Sequence, residues 1–292
     1  MRQLAAAIFL ILSIQTISAQ TYNVITYNIR YDNGNDGEDN WVNRKEKVAA
    51  IITDNNADII GLQEVLANQL NYLKKEWKAY SCVGVGRDDG KNKGEYSPIF
   101  YKKDKFTLVD KGWFWLSETP DKPSKGWDAA CNRICTWVVL RDTITKQQFT
   151  VFNTHLDHKG KEAKKNSITV IGDSIASLSI KHVYKDASGE TYYLPVIVTG
   201  DFNFNPADEN YSRFATGQRP RQDSYTLVAT PQGTVGTANG FKLDGEYTNR
   251  IDYIWVTDFT VESYQVLNDK LPNGHWPSDH FPVLVKLSLH KQ

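Results

Sequence analysis

Short apolar runs rich in β-branched and aromatic residues recur along this chain, and each meets a polar residue at one end. VITY leads to Asn28, IIGLQ to Glu64, FTVFNT to His155 and VIVTG to Asp201 and Asn203, while Asp279-His280 stand before FPVLV and Asp252 lies inside RIDYIW. Runs of this length bounded by turn residues read as strands. A polar side chain at a strand end is held by a rigid element while neighbouring loops admit a ligand. Strands are expected at Tyr22–Ile29, Ala57–Leu62, Tyr80–Val85, Tyr96–Tyr101, Ile134–Leu140, Gln147–His155, Pro195–Thr199, Arg250–Val256 and Phe281–Leu289. Apolar spacing predicts helices over Trp41–Asp54, Leu66–Lys75 and Lys161–Ser179, the last with Ile168, Ile171, Ile175 and Leu178 on one face. Gly112–Pro123 reads as an aromatic loop. Interleaved strands and helices, together with hairpins, imply a mixed sheet or a pair of sheets. No repeat or linker interrupts the pattern, so residues 20–292 are expected to form one domain.

Residues 1–19 have the order of a secretory signal peptide: Arg2, an apolar run from Leu4 to Ile14, then small residues ending at Ala19. The run is shorter than the roughly 20 residues that a membrane span needs. The expectation is export, to the periplasm or the extracellular space. Removing Arg2 from a chain with 34 basic and 34 acidic residues leaves the remainder one charge negative. That gives no global basic field for nucleic acid and no polybasic tail for a membrane. Cys82, Cys131 and Cys135 are an odd number, and whether Cys131 and Cys135 pair is open at this point.

Several common motifs are absent: there is no Walker loop, no His-Glu-x-x-His and no Gly-x-Ser-x-Gly. Asp32–Asn40 resembles a calcium loop in composition, but Gly34 stands where a ligand is needed, so it reads as a solvated loop. Taken singly, each strand-end residue has a plain explanation as a turn residue, a helix-terminal charge or a salt bridge. Taken together, four acids, two amides and two histidines in one kind of context point to a site.

The motifs TYNIR (26–30), LQEV (62–65), GEYSPIFY (94–101), FNTHLDH (152–158), TGDFN (199–203), RIDYIW (250–255) and SDHFPV (278–283) resemble, in order, those of the endonuclease/exonuclease/phosphatase superfamily. The motif forms look most similar to its nuclease and deadenylase-type branch. The resemblance implies a deoxyribonuclease-I-like α/β fold: a four-layered sandwich of two packed mixed β-sheets flanked by helices. It implies a phosphoric ester hydrolase that uses Mg²⁺ or Mn²⁺, bound by Glu64 with Asn28 and Asp279. Asp201 would orient or deprotonate the attacking water, Asn203 would hold the phosphate or Asp201, and His155 and His280 would contact the phosphate or leaving group. Asp252 would orient His280, Glu95 would support the neighbouring histidine, and Arg30 and Arg133 are further substrate contacts. The expected substrate is a phosphodiester of nucleic acid or a nucleotide. The alternatives are a phospholipid (sphingomyelinase-like) or sugar-phosphate ester, or a non-catalytic binding module on the same scaffold. No stable protein partner is implied and membrane contact is not expected. For Trp113, Trp115 and Trp127 the choices are lipid insertion, base stacking or packing, with packing expected for at least one of the first two.

Overall fold

The computed structural model describes residues 20–185, 190–217 and 219–289, so the signal-peptide reading lies outside the described residues. One six-stranded sheet contains β1 (Thr21–Asn28), β2 (Ile59–Gln63), β3 (Tyr80–Val83), β4 (Ile99–Lys102), β13 (Phe259–Val266) and β14 (Val283–Leu289), in the order β13-β14-β1-β2-β4-β3. The other contains β5 (Phe106–Trp115), β6 (Ile134–Asp142), β7 (Gln148–His155), β10 (Val196–Asp201), β11 (Gln222–Asp223) and β12 (Asp252–Thr257), in the order β11-β12-β10-β7-β6-β5. Strands β8 (Tyr184–Lys185) and β9 (Thr191–Tyr192) form a small ribbon apart from both.

Each large sheet has one parallel pair, β1 with β2 and β7 with β10, and its other pairings are antiparallel. Parallel neighbours need a crossover, which a helix supplies. The first crossover contains α1 (Trp41–Asp54) and the second α3 (Lys161–Lys181); α2 (Ala67–Glu76) and α4 (Glu209–Ala215) complete the helices among the described residues.

Side-chain alternation sets the layers. Tyr22 and Val24 of β1 join an apolar cluster with Val151, Ile197 and Val285 between the sheets. Ile25, Tyr27 and Ile29 face the other way and pack with Val48, Ile52 and Leu73 of α1 and α2. On the far side Phe152, Val198 and Trp255 pack against Ile168, Ile171 and Ile175 of α3 and Phe214 of α4. The result is helix, sheet, sheet, helix, the four layers that the motif order implied.

Beneath one rim the inter-sheet layer turns polar. Asn153 of β7 donates to the carbonyls of Leu62 (2.7 Å) and Pro98 (2.9 Å) in the opposite sheet and accepts from Gln63 Nε2 (2.7 Å) and Thr199 Oγ1 (3.0 Å). Gly61 makes this approach feasible, since a Cβ there would come within 2.1 Å of Thr199 Oγ1 and 2.6 Å of Asn153 Oδ1.

The structure corrects three local readings. Gly112–Trp115 is the end of β5, paired with β6, rather than loop. The strand expected at Tyr96–Tyr101 is β4 and starts at Ile99; Tyr96 makes only isolated bridges, to Val65 and Gly86. Strand β13 and helix α4 were not foreseen: β13 is a half-exposed edge strand with a bulge between Val261 and Ser263, and α4 has only 7 residues, so neither carries a strong period. Cys82, Cys131 and Cys135 are all free.

Trp115 is packed, 3% exposed, and donates from Nε1 to the Arg87 carbonyl (2.7 Å), whereas Trp113 is 38% exposed. Trp115→Ala is therefore expected to cost about 3–5 kcal/mol by opening a cavity. Trp113→Ala should stay within about 0.5 kcal/mol of the parent, as surface changes do. Urea denaturation of the two variants checks both; equal losses would contradict the packing assignment.

Candidate active site

The strand ends converge at one rim because register puts them there. Asp201 at the end of β10 is the partner of His155 at the end of β7 and of Asp252 at the start of β12. In the other sheet Asn28 ends β1 beside Gln63, with Glu64 following, and Asp279-His280 precede β14, the other neighbour of β1. The sheets meet through Asn28, whose Nδ2 donates to Glu64 Oε1 (3.1 Å) and to Asp201 Oδ2 (3.0 Å).

From Asp201 the network runs on. Its Oδ2 lies 3.4 Å from His155 Nε2 and 3.8 Å from His280 Nε2, and its Oδ1 accepts from the Asn203 amide (3.0 Å). His280 Nδ1 is 2.8 Å from Asp252 Oδ2. Asn203 Nδ2 donates both to the Leu156 carbonyl (3.0 Å) and to His155 Nε2 (3.0 Å). A ring nitrogen that accepts leaves the proton on Nδ1, so this contact assigns His155 the neutral Nδ1–H form. Nδ1 has no hydrogen-bond partner and sits 4.0 Å from Glu95. Arg30, Glu64 and Asn203 hold positive φ angles of 55°, 62° and 51°. For residues other than glycine that costs on the order of 1–3 kcal/mol each and is concentrated at functional sites.

The electrostatics separate the groups. Burial and the neighbouring Asp252 push the Asp201 carboxyl up to about 7, against the pull of His280. Burial disfavours the His280 imidazolium, but Asp252 and Asp201 outweigh it and hold the group well above its ordinary value. Burial, with Arg133 and Arg87 nearby, drives His155 well below. Asp279 is raised by burial, with Glu64 adding to the effect.

All eleven residues singled out in the sequence lie in this region, with different attachments. Glu64, His155, Asp201, Asn203, His280, Arg30, Glu95 and Arg133 line a cavity of about 390 Å³, together with Tyr31, Arg87, Cys131 and His158. Asn28 and Asp252 are fully buried beneath it. Asp279 lies 3.7 Å from Arg30, whose guanidinium is otherwise held by Asp36 at 2.9 Å. Glu95 faces Arg87 (2.6 Å) more closely than His155. Of the lysines after His155, Lys161, Lys164 and Lys165 line a separate cleft with Asp208 and Glu209, and Lys164 Nζ donates to the Asn203 carbonyl (3.2 Å).

Three residues that hold this arrangement were not singled out. Arg44 is fully buried on α1 and spreads its guanidinium over the carbonyls of Ile29, Arg30, Tyr31, Asp39 and Pro277, tying the segment after β1 to the one before Asp279. A charge at helical spacing from Val48 and Ile51, on their apolar stripe, was the available signal. Arg87 stands in the polar GRDDG stretch and gave none. Asp157, inside FNTHLDH, accepts from the amides of Ala130 (3.1 Å), Lys159 (3.0 Å) and Gly160 (2.8 Å) and from Arg133 Nε (3.2 Å).

Glu64 and Asp279 offer carboxylates and Asn28 an amide, the oxygen donors that a hard divalent ion prefers. Burial raises the Asp279 carboxyl and Glu64 adds to the effect, against the pull of His280, Arg30 and Arg44. Oxygens of Asp201 and Asp252 and a nitrogen of His280 also lie within 4.8 Å of one another. The residues present therefore fit such an ion. In this structure Asn28 turns its amide nitrogen, not its oxygen, toward the two carboxylates, while its Oδ1 accepts from the Arg30 amide (3.0 Å).

A model described as the Endonuclease/Exonuclease/phosphatase family matches residues 25–280. The chain belongs to this family. Enzymes of this family are phosphoric ester hydrolases that depend on divalent metal ions. Among solved structures it is similar to a mannosyl-6-phosphatase of Bacteroides thetaiotaomicron, at 39% identity and a TM-score of 0.83, covering 92% of this chain and 100% of that one. Among curated proteins it is similar to the CCR4-Not complex 3'-5'-exoribonuclease subunit Ccr4 of Aspergillus niger, 27% identical over 313 residues, covering 85% of this chain and 47% of the relative. The chain thus spans about half the length of that relative. The human Nocturnin catalytic domain, at 20% identity and a TM-score of 0.67, shares the fold.

Burial opposes charge on Asp157, but the amides of Gly160, Lys159 and Ala130 and the Arg133 guanidinium hold its carboxyl well below the usual range. A carboxyl lowered on folding adds stability above its unfolded pKa of about 3.9, and this is lost as pH falls below it. Asp157→Asn should melt lower than the parent at pH 7, and the gap should narrow as pH falls below about 4. Melting curves from pH 3 to 7 check this; a gap independent of pH would contradict it.

Proposed function

We propose that this chain is a divalent-metal-dependent phosphomonoesterase acting on a small phosphate ester, with a sugar phosphate as the best-supported class. The observation that carries the reading is the cavity: about 390 Å³, with the site residues in its wall. That volume suits a compact ligand. A bound strand of nucleic acid instead needs a basic track with stacking faces. The chain is neutral overall, and its lysine cluster lies in another cleft faced by Asp208 and Glu209. The similarity to a protein titled mannosyl-6-phosphatase supports the same choice. The second reading, cleavage of nucleic acid, is favoured by the relatives named as exoribonuclease subunits.

A phosphate ester is already anionic, so hydrolysis needs positive charge on its oxygens, a base for water and a departing alcohol. Glu64, Asp279 and Asn28 would hold a divalent ion, Mg²⁺ or Mn²⁺, which when bound neutralises phosphoryl charge. Asp201 takes the proton that the attacking water gives up as its oxygen bonds to phosphorus. The bond from phosphorus to the alcohol oxygen breaks, and that oxygen takes up a proton from a solvent water as it leaves. His280, kept cationic by Asp252, faces the phosphoryl oxygens. Asn203 and the neutral His155 orient Asp201 and the ester. Export is inferred from residues 1–19, and a mature N-terminus at Gln20 in protein recovered outside the cytoplasm tests it.

Mature protein should release phosphate from mannose 6-phosphate, lose activity in EDTA and regain it with Mg²⁺ or Mn²⁺. Cleavage of oligonucleotides without phosphate release from sugar phosphates would overturn the reading. Glu64→Gln should abolish turnover at limiting metal while the protein stays folded. Asp201→Asn and His280→Ala should each lower kcat by at least about 10²-fold, the scale for losing a positioned proton-transfer or charge-stabilising group. The double variant should lose less than the product, since both groups serve one transition state; steady-state kinetics on the three proteins checks this.

A further inference from the structure

Part of the cavity wall consists of two arginines that are each neutralised by their own carboxylate. Arg87 Nη1 is 2.6 Å from Glu95 Oε2, and Arg133 Nε is 3.2 Å from Asp157 Oδ2. Both arginines and Glu95 line the cavity. Each guanidinium also keeps one buried N–H without a hydrogen-bond partner: Nε of Arg87, which lies 4.0 Å from Asp88 Oδ1, and Nη1 of Arg133, on a side chain only 4% exposed. Such donors are rare in folded proteins, and one left unmade costs on the order of 1–3 kcal/mol. In the wall of a substrate cavity they ask for an acceptor from the ligand.

The chemistry of that acceptor follows from what surrounds it. A second phosphate or carboxylate would meet Glu95 beside Arg87, while Asp157 stands buried behind Arg133 and offsets its charge, so the two pairs offer it no net attraction. A nucleobase or an acyl chain needs an aromatic or apolar face. Apart from its three histidines the cavity has one aromatic residue, Tyr31, and the Arg30 guanidinium already lies over its ring at 4.5 Å. A hydroxyl suits both halves of the Arg87–Glu95 pair: its oxygen accepts from an arginine N–H, and its own hydrogen can be donated to Glu95, which lines the cavity. Glu95 Oε2 is 4.0 Å from His155 Nδ1, so this wall adjoins the hydrolytic cluster where a leaving group must lie.

We infer that Arg87, Glu95 and Arg133 form a subsite for an uncharged polyol, the sugar part of the ester, and so set substrate choice. The inference rests on the phosphomonoesterase reading above. Arg87 is the residue to change, because its backbone is held independently of its side chain: its carbonyl accepts from Trp115 Nε1 and its amide donates to the Glu95 carbonyl (3.0 Å).

The test measures kcat and KM for mannose 6-phosphate, p-nitrophenyl phosphate and fructose 1,6-bisphosphate in the parent, Arg87→Gln and Arg87→Lys, with melting curves to confirm folding. The expected result is a fall of at least tenfold in the ratio of kcat/KM for the sugar ester to that for the aryl ester in Arg87→Gln, carried mainly by KM. Arg87→Lys should recover only part of it, since an ammonium restores charge but not the planar fork. An unchanged ratio in folded Arg87→Gln, or a tenfold preference of the parent for the bisphosphate, overturns the subsite alone. A parent that hydrolyses none of the three esters overturns the phosphomonoesterase reading, and the subsite with it.

Discussion

The arrangement depends on one amide between two sheets. Asn153 leaves β7 and gives both its donors to carbonyls of the opposite sheet while accepting from Gln63 and Thr199. Apolar layers tolerate sliding, because hydrophobic attraction has no direction. A buried amide does not, because each unmade bond is costly. Asn153 therefore sets how β2 and β4 stand against β7 and β10. One turn further toward the rim the same two sheets supply Glu64 and Asp201, close enough for the Asn28 amide to touch both. Gly61 belongs to this device, since any side chain there would push Thr199 and Asn153 away.

Such closeness gathers negative charge, and the structure offsets it group by group. Arg44 gives all its donors to carbonyls and has no carboxylate partner within ion-pair distance among the described residues. It pins the segments that carry Asn28, Tyr31 and Asp279; the Tyr31 amide in turn holds Glu64 Oε2 at 3.1 Å. His280 stays cationic between Asp252 and Asp201. His155, a few ångströms away, is kept neutral by burial and by the arginines. Two histidines in one cavity thus have opposite charge states, the pattern by which a site assigns different work to like residues.

How much was legible in the sequence follows from where each signal resides. Strands β1–β4, β6, β7, β10, β12 and β14 and helices α1, α2 and α3 were readable because a buried face imposes a period on the residues that form it. The strand-end residues were readable because a polar side chain closing an apolar run needs a reason. The misread segments lack such a period: the alternation of β13 is broken by its bulge between Val261 and Ser263, α4 is two turns long, and Gly112 in β5 is small because the Trp137 ring lies 2.6 Å from where its Cβ would be. Roles set by tertiary partners were not legible. Nothing local distinguishes Arg87 from a solvated charge, and the partners of Asp157 come from segments as far away as Ala130 and Arg133.

The cavity joins two parts with different origins. Its hydrolytic part comes from strand ends, whose positions follow from register and cannot shift without disturbing both sheets. Arg87 and Glu95 come from the loops between β3 and β4, and Cys131 and Arg133 from the segment leading into β6. Loops accept substitution and insertion far more readily than the elements that they connect. Rigid strand ends can keep one phosphoryl chemistry while the loops beside them are rebuilt for another alcohol, since fold alone does not select a substrate. Similarity to both a sugar phosphatase and an exoribonuclease subunit is what such a division produces. Substrate choice therefore has to be read from the wall of Arg87, Glu95 and Arg133 rather than from the acids and histidines at the rim.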